Sequence, residues 1–101
     1  MFQRLVLVSF LGLLSSCATN TPPLEDYVLA DAAIKAAKSV QSVRYAPSVW
    51  HQAEEYFRQA RILYKEREFT EAKELFIQAR RAAEKAENTA RVIRQKNGEF
   101  L

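Results

Sequence analysis

The sequence predicts an all-α protein: an antiparallel helical hairpin with an additional N-terminal helix, a three-helix arrangement. Three observations predict it. Glycine and proline are scarce, 2 and 3 of 101 residues, and Ala, Glu, Lys, Arg and Gln fill the chain, a composition that favours helix over sheet. Apolar residues recur at steps of three and four in three successive stretches, the spacing of one helical face. The stretches are separated where breakers stand, at Pro47 and around Glu66-Arg67-Glu68. A chain of this length forms one domain at most, with a modest core.

The first element is not part of that domain. Met1-Phe2-Gln3-Arg4 carries one positive charge, and Leu5 to Leu14 is an apolar run of ten residues. That is the pattern of a signal peptide; a membrane-spanning helix needs roughly twenty apolar residues. The run closes on Leu14-Ser15-Ser16-Cys17, where Cys17 is the only cysteine, so no internal disulfide is available. This tetrad resembles the lipobox of bacterial lipoprotein precursors. The resemblance implies a diacylglycerol thioether on Cys17, cleavage between Ser16 and Cys17, and N-acylation of the freed amine. In Gram-negative lipoproteins an Asp directly after the cysteine favours retention at the inner membrane. Ala18 stands there, so the resemblance implies the outer membrane, with the protein facing the periplasm. Several acyl chains make such an anchor lasting, since each buried CH₂ contributes about 0.8 kcal/mol.

The domain boundaries follow: residues 1–16 as signal peptide, 17–24 as lipidated cysteine and linker, 25–101 as the helical domain. In the linker, Thr19-Asn20-Thr21 is polar and Pro22-Pro23 favours extended backbone. Helix one is expected from Glu25 to Val43, with Glu25 and Asp26 suited to the positive end of its dipole. Its face is Ala30, Ala33, Ala37 and Val40, with Ile34 alongside. Arg44-Tyr45-Ala46-Pro47 breaks it, because proline disfavours helix in the residue before it and fits the first turn of the next. Helix two, Pro47 to Arg67, carries the bulkiest stripe: Val49, Trp50, Ala53, Tyr56, Phe57, Ala60, Leu63 and Tyr64. Helix three runs from Phe69 or Thr70 to Lys96, where Asn97-Gly98 stops it. Ala72, Phe76, Ala79, Ala83, Ala86, Ala90 and Ile93 form its regular seam, coiled-coil-like but rich in alanine. At about 40 Å against about 30 Å for helix two, its last turns need helix one, a partner, or they fray.

Tyr45-Ala46-Pro47, followed by Ala53, Phe57, Ala60, Phe69, Ala72, Ala79 and Ala86, resembles an uncharacterised alanine-rich helical domain of Gram-negative lipoproteins that carries a Tyr-Ala-Pro motif. Some members also carry an OmpA-like peptidoglycan-binding domain, for which this chain has no room. Ala60, Leu63, Phe69, Ala72, Phe76 and Ala79 are also similar to part of one tetratricopeptide repeat. The glycine usual near that repeat's inter-helix turn is absent, with Arg67 or Glu68 in its place, and no second copy appears at a spacing of 34. The likeness is to hairpin packing.

Chemistry is thinly represented. His51 and Glu55 lie one helical turn apart but make only two of the three or four ligands that zinc needs. Ser48 has no argued third partner beside His51, and the Glu54-Glu55 pair reads as charged helix surface. No catalytic residue, metal site or cofactor is expected. The net charge of +3 is too small to point to nucleic acid. The aromatic stripe of helix two reads as core, with a ligand groove as the alternative. Between Arg80 and Lys96 the chain is locally basic, which suits either a solvated helix end or a contact with anionic head groups or an acidic partner. The expected function is a non-catalytic, membrane-anchored module for protein interaction or scaffolding. Its expected partners are the membrane, through Cys17, and a protein or a second copy. The candidate surface is Ala83, Ala86, Ala90 and Ile93 with Arg80, Arg81, Arg91 and Arg94. The alternative is a binder of a lipid or cell-wall ligand, through the aromatic stripe or the basic end of helix three.

Overall fold

The structure, a computed structural model, describes residues 21–98. The expected signal peptide, the cleavage site at Ser16 and Cys17 and the linker through Asn20 lie outside the described residues, as do residues 99–101. Four helices follow: α1 (Leu24–Ser39), the single turn α2 (Ser42–Tyr45), α3 (Pro47–Lys65) and α4 (Phe69–Lys96). No strand occurs among the described residues, and the fold is all-α as expected. The α3–α4 hairpin is the largest packing unit, and α1 lies chiefly against α4.

The expected helix one is shorter than its periodicity suggested. It ends at Ser39 because Gln41 turns left-handed, φ 62°, and its N–H returns to the Lys38 carbonyl at 3.0 Å. The chain then makes one turn as α2, and the Ala46 N–H bonds the Ser42 carbonyl at 2.8 Å. Pro47 opens α3 at its first turn as anticipated, where a missing N–H costs nothing. The α3–α4 turn is a Schellman motif. Arg67, φ 62°, donates to the Tyr64 carbonyl at 3.2 Å, and Glu68 donates to Leu63 at 2.9 Å. The Arg67 position is therefore the left-handed one that glycine commonly fills. At the far end Gly98, φ 74°, closes α4 with its N–H on the Gln95 carbonyl.

The core has two parts that share Tyr56. Toward the α3–α4 turn, Ala30, Ala60, Ala72, Phe76 and Ala79 are buried. Phe76 is 0% exposed, with ring centroids of Tyr27, Phe57 and Tyr64 at 4.7, 5.8 and 6.2 Å. Toward the other end, Ala37, Ala46, Trp50, Ala53, Ala82, Ala83 and Ala86 make an alanine-lined layer with one large ring. The side-chain pairings set the direction of α1. Asp26 near its start reaches Lys73 near the start of α4 at 3.9 Å, and the Val40 carbonyl just past its end meets Arg94. So α1 runs parallel to α4, and α3 returns between those directions.

The body also begins earlier than expected. Pro23 is buried and its carbonyl accepts from the Tyr27 N–H at 3.1 Å. Within the described residues, Pro23 and Leu24, both expected in the linker, already belong to the helical body.

Candidate interaction surface

The alanine seam of helix three is occupied by the chain itself. Ala83, Ala86 and Ala90 are each fully buried, and Ile93 is half-buried. The expected open seam is thus corrected. Alanine faces on α1 and α4 let the two backbones approach closely, so α1 covers the surface that the sequence left unassigned.

The four arginines part company. Arg94 is half-buried, its Nη1 donating to the Val40 carbonyl at 3.2 Å while its guanidinium lies 5.9 Å from the centre of the Tyr45 ring. It caps a helix-end carbonyl and holds the α1–α2 corner onto the last turns of α4. Arg44 approaches the same ring at 5.2 Å. This gives the Tyr45-Ala46-Pro47 stretch a physical job: the ring takes cations, Ala46 is buried, and Pro47 starts α3. Arg91 bonds Glu87 at 2.9 Å, and Arg80 lies 4.0 Å from Glu84. Arg81 is exposed and makes no ion pair among the described residues. What remains of the basic end is a dispersed set of cations in which Arg94 has a structural duty.

The aromatic stripe of helix two is core and not a groove. Trp50 is buried, and Tyr64 packs edge-on against Tyr27, Phe69 and Phe76 at 5.4 to 6.2 Å. Phe57 reaches a surface depression of about 260 Å³, lined also by Ile34, Glu54, Arg58 and Arg61. The Arg61 guanidinium lies 5.0 Å from the Phe57 ring. His51 is exposed, with Nδ1 at 4.0 Å from Glu54. Glu55 does not turn to it: it accepts from Arg58 Nε and Gln59 Nε2, both at 3.0 Å. The Arg58 hydrogen bond holds the Glu55 carboxyl below its ordinary range. Among the described residues no three His, Cys, Asp or Glu side chains converge on a point that would suit a metal.

The residues that sequence reasoning missed are the outward ones of α1. Leu24 and Val28 are 62% and 56% exposed, and Leu29 is 40% exposed. Leu24, Val28 and Ala32 follow one another at steps of four, so they form a single stripe. Apolar residues are spread around α1 among its charged ones, whereas in α3 and α4 most keep to one side. The signal was present in the sequence, since Val28, Leu29 and Ala32 fall outside the Ala30–Ala37 face. Ile62, 43% exposed above Leu63 and Leu75, makes a second, smaller apolar spot on the α3–α4 side.

No helix among the described residues is long and apolar enough to cross a membrane. No curated protein and no solved structure matches the chain. A match to a protein family covers residues 25–98, the whole of the helical body from its first turn to Gly98. The chain belongs to that family, described as a domain of unknown function (DUF4398).

Proposed function

We propose that this chain is a lipoprotein whose helical bundle serves as a non-catalytic interaction module of the cell envelope. Cys17 would carry the anchor, at the periplasmic face of the outer membrane. The observation that carries the reading is the contrast between inside and outside. The bundle fills its interior with its own alanines and rings, while large apolar side chains remain outside: Leu24, Val28 and Leu29 together on α1, and Val43, Ile62 and Val92 singly on α2, α3 and α4. Scattered single apolar residues are ordinary on a surface, but an aligned stripe on one helix points to contact. The lipobox-like tetrad lies a few residues ahead of that helix. The module therefore works by being held at a surface and offering a helix face there.

A second reading rests on Phe57. It lines the depression between α1 and α3 beside Arg61, an apolar wall with a cation at its rim. That arrangement suits a small amphipathic ligand, and it narrows the aromatic stripe to Phe57 as the place where a ligand would be sought.

The anchor is tested by metabolic labelling with a clickable palmitate analogue. Wild type is expected to take the label and Cys17→Ser to lose it, with the protein released from the membrane fraction. Equal labelling of the two would end the lipoprotein reading. The interaction role is tested by photo-crosslinking in cells from Ile62, the exposed apolar position on the α3–α4 side. A discrete crosslinked protein is expected there and not from the exposed Arg81 position on α4.

A further inference from the structure

We infer that the outward stripe of α1 docks on the lipid bilayer itself, so that the anchored bundle lies with α1 against the membrane and α3 away from it. The inference rests on the proposed anchor at Cys17 and adds to it an orientation.

Reach comes first. The body begins at Pro23, which is buried, so six peptide units separate Cys17 from the folded part, at most roughly 20 Å. From Leu24 to Ala32 the helix rises only about 12 Å. Every residue of the stripe therefore lies within the tether's range of the surface. The helix that emerges from the tether is also the one on which several large apolar residues gather on the outer side, where the other helices expose one each: Leu24 and Val28 more than half exposed, Leu29 flanking them, Ala32 completing the line. Farther along the same helix Lys35 and Lys38 are exposed. Their long stems suit the head-group region beside an apolar contact.

Area decides between a bilayer and a second copy. A stable protein interface removes roughly 800 Å² per partner. Three partly exposed side chains on two turns fall well short of that. A bilayer makes no such demand, because the tether already confines the helix to the surface and turns docking into an intramolecular event. The contact is apolar, and the nearby carboxylates Glu25 and Asp26 gain nothing from anionic lipid. Docking is therefore expected on zwitterionic phosphatidylcholine and is expected to persist in high salt.

The test uses the full chain, processed in cells, purified in detergent and reconstituted into phosphatidylcholine vesicles with or without brominated acyl chains. Intact mass first establishes the lipid on Cys17. Two variants are compared, V28W on the α1 stripe and I62W on the α3–α4 side, both at exposed positions and both retaining the buried Trp50 as a common background. Bromolipid is expected to quench the indole at position 28 several-fold more than the one at position 62, at low and at high salt. Equal quenching at both positions, or none at position 28, in protein of the lipidated mass overturns the docking proposal while leaving the anchor intact. A blue-shifted but unquenched indole at position 28, with a crosslinked dimer, overturns it in favour of a second copy. A mass without lipid at Cys17 removes the anchor, and the docking proposal falls with it.

Discussion

Replacing Arg67 by glycine is expected to stabilise the bundle. Arg67 sits in the left-handed region, φ 62°, at the turn that joins α3 to α4. Its side chain is exposed and, among the described residues, makes no hydrogen bond or ion pair, and the two bonds of the Schellman turn are made by backbone groups that glycine retains. What the substitution removes is the clash of Cβ with the backbone, about 1–2 kcal/mol for an L-residue in this conformation. Against it stands the greater freedom of glycine in the unfolded chain, about 0.5–1 kcal/mol. The net gain is about 0.5–1 kcal/mol. For a domain of this size 1 kcal/mol moves Tm by about 4–8 °C, so R67G is expected to melt about 3–6 °C higher in a circular-dichroism scan. R67A is the control, because alanine keeps the Cβ and should leave Tm nearly unchanged. A lower Tm for R67G, or an equal rise for R67A, would refute the account of the turn.

Phe76→Ala empties the most crowded part of the core, where three rings meet one fully buried phenyl. A loss of about 3–5 kcal/mol is expected, a large share of what roughly 80 residues supply, and urea unfolding should show a much lower midpoint. Ser42→Ala should do the opposite: the Ser42 hydroxyl is fully buried without a hydrogen-bond partner, so the alanine variant should be equal to wild type or up to about 1 kcal/mol more stable. Glu55→Gln tests the Arg58 pair. Because Arg58 holds the Glu55 carboxyl below its ordinary value of 4.5, the pair's contribution is complete above that value and fades as pH falls through the folded one. The stability gap between wild type and the variant, small because both groups are exposed, should therefore narrow between pH 7 and pH 3.

The helix limits show which signals were readable. Phe69 to Lys96 was legible because alanine and aromatic positions repeat without a gap and Asn97-Gly98 ends them. Pro47 marked the start of α3 just as clearly. The stop at Ser39 was not legible, since Gln41 has no special preference for a left-handed turn and Val40 continues the apolar pattern. The candidate surface was harder. An alanine face serves a neighbour in the same chain as well as one in another, and periodicity cannot distinguish them. Ala83, Ala86 and Ala90 were therefore read as a candidate contact surface, whereas the bundle itself buries them. Arg94 looked like one of several terminal cations; its bond to the Val40 carbonyl spans 54 residues of sequence, a distance over which no local pattern operates. The α1 stripe was visible as apolar residues outside the assigned face, but without the fold nothing said which side of that helix was already taken.

The uneven make-up of the core also sets where the bundle opens first. Alanine has no rotamers to freeze, so the layer around Trp50 loses little entropy on ordering and gains little apolar burial in return. The rings around Phe76 do both on a larger scale. Local opening should therefore begin at the alanine-lined end, which the Arg94 bond to Val40 helps to hold, and the ring-filled end should exchange its amides last. For a protein anchored through Cys17 as proposed, this is a gradient with a direction. The end nearest the tether keeps its shape longest, and the end farthest from it is the part that can rearrange.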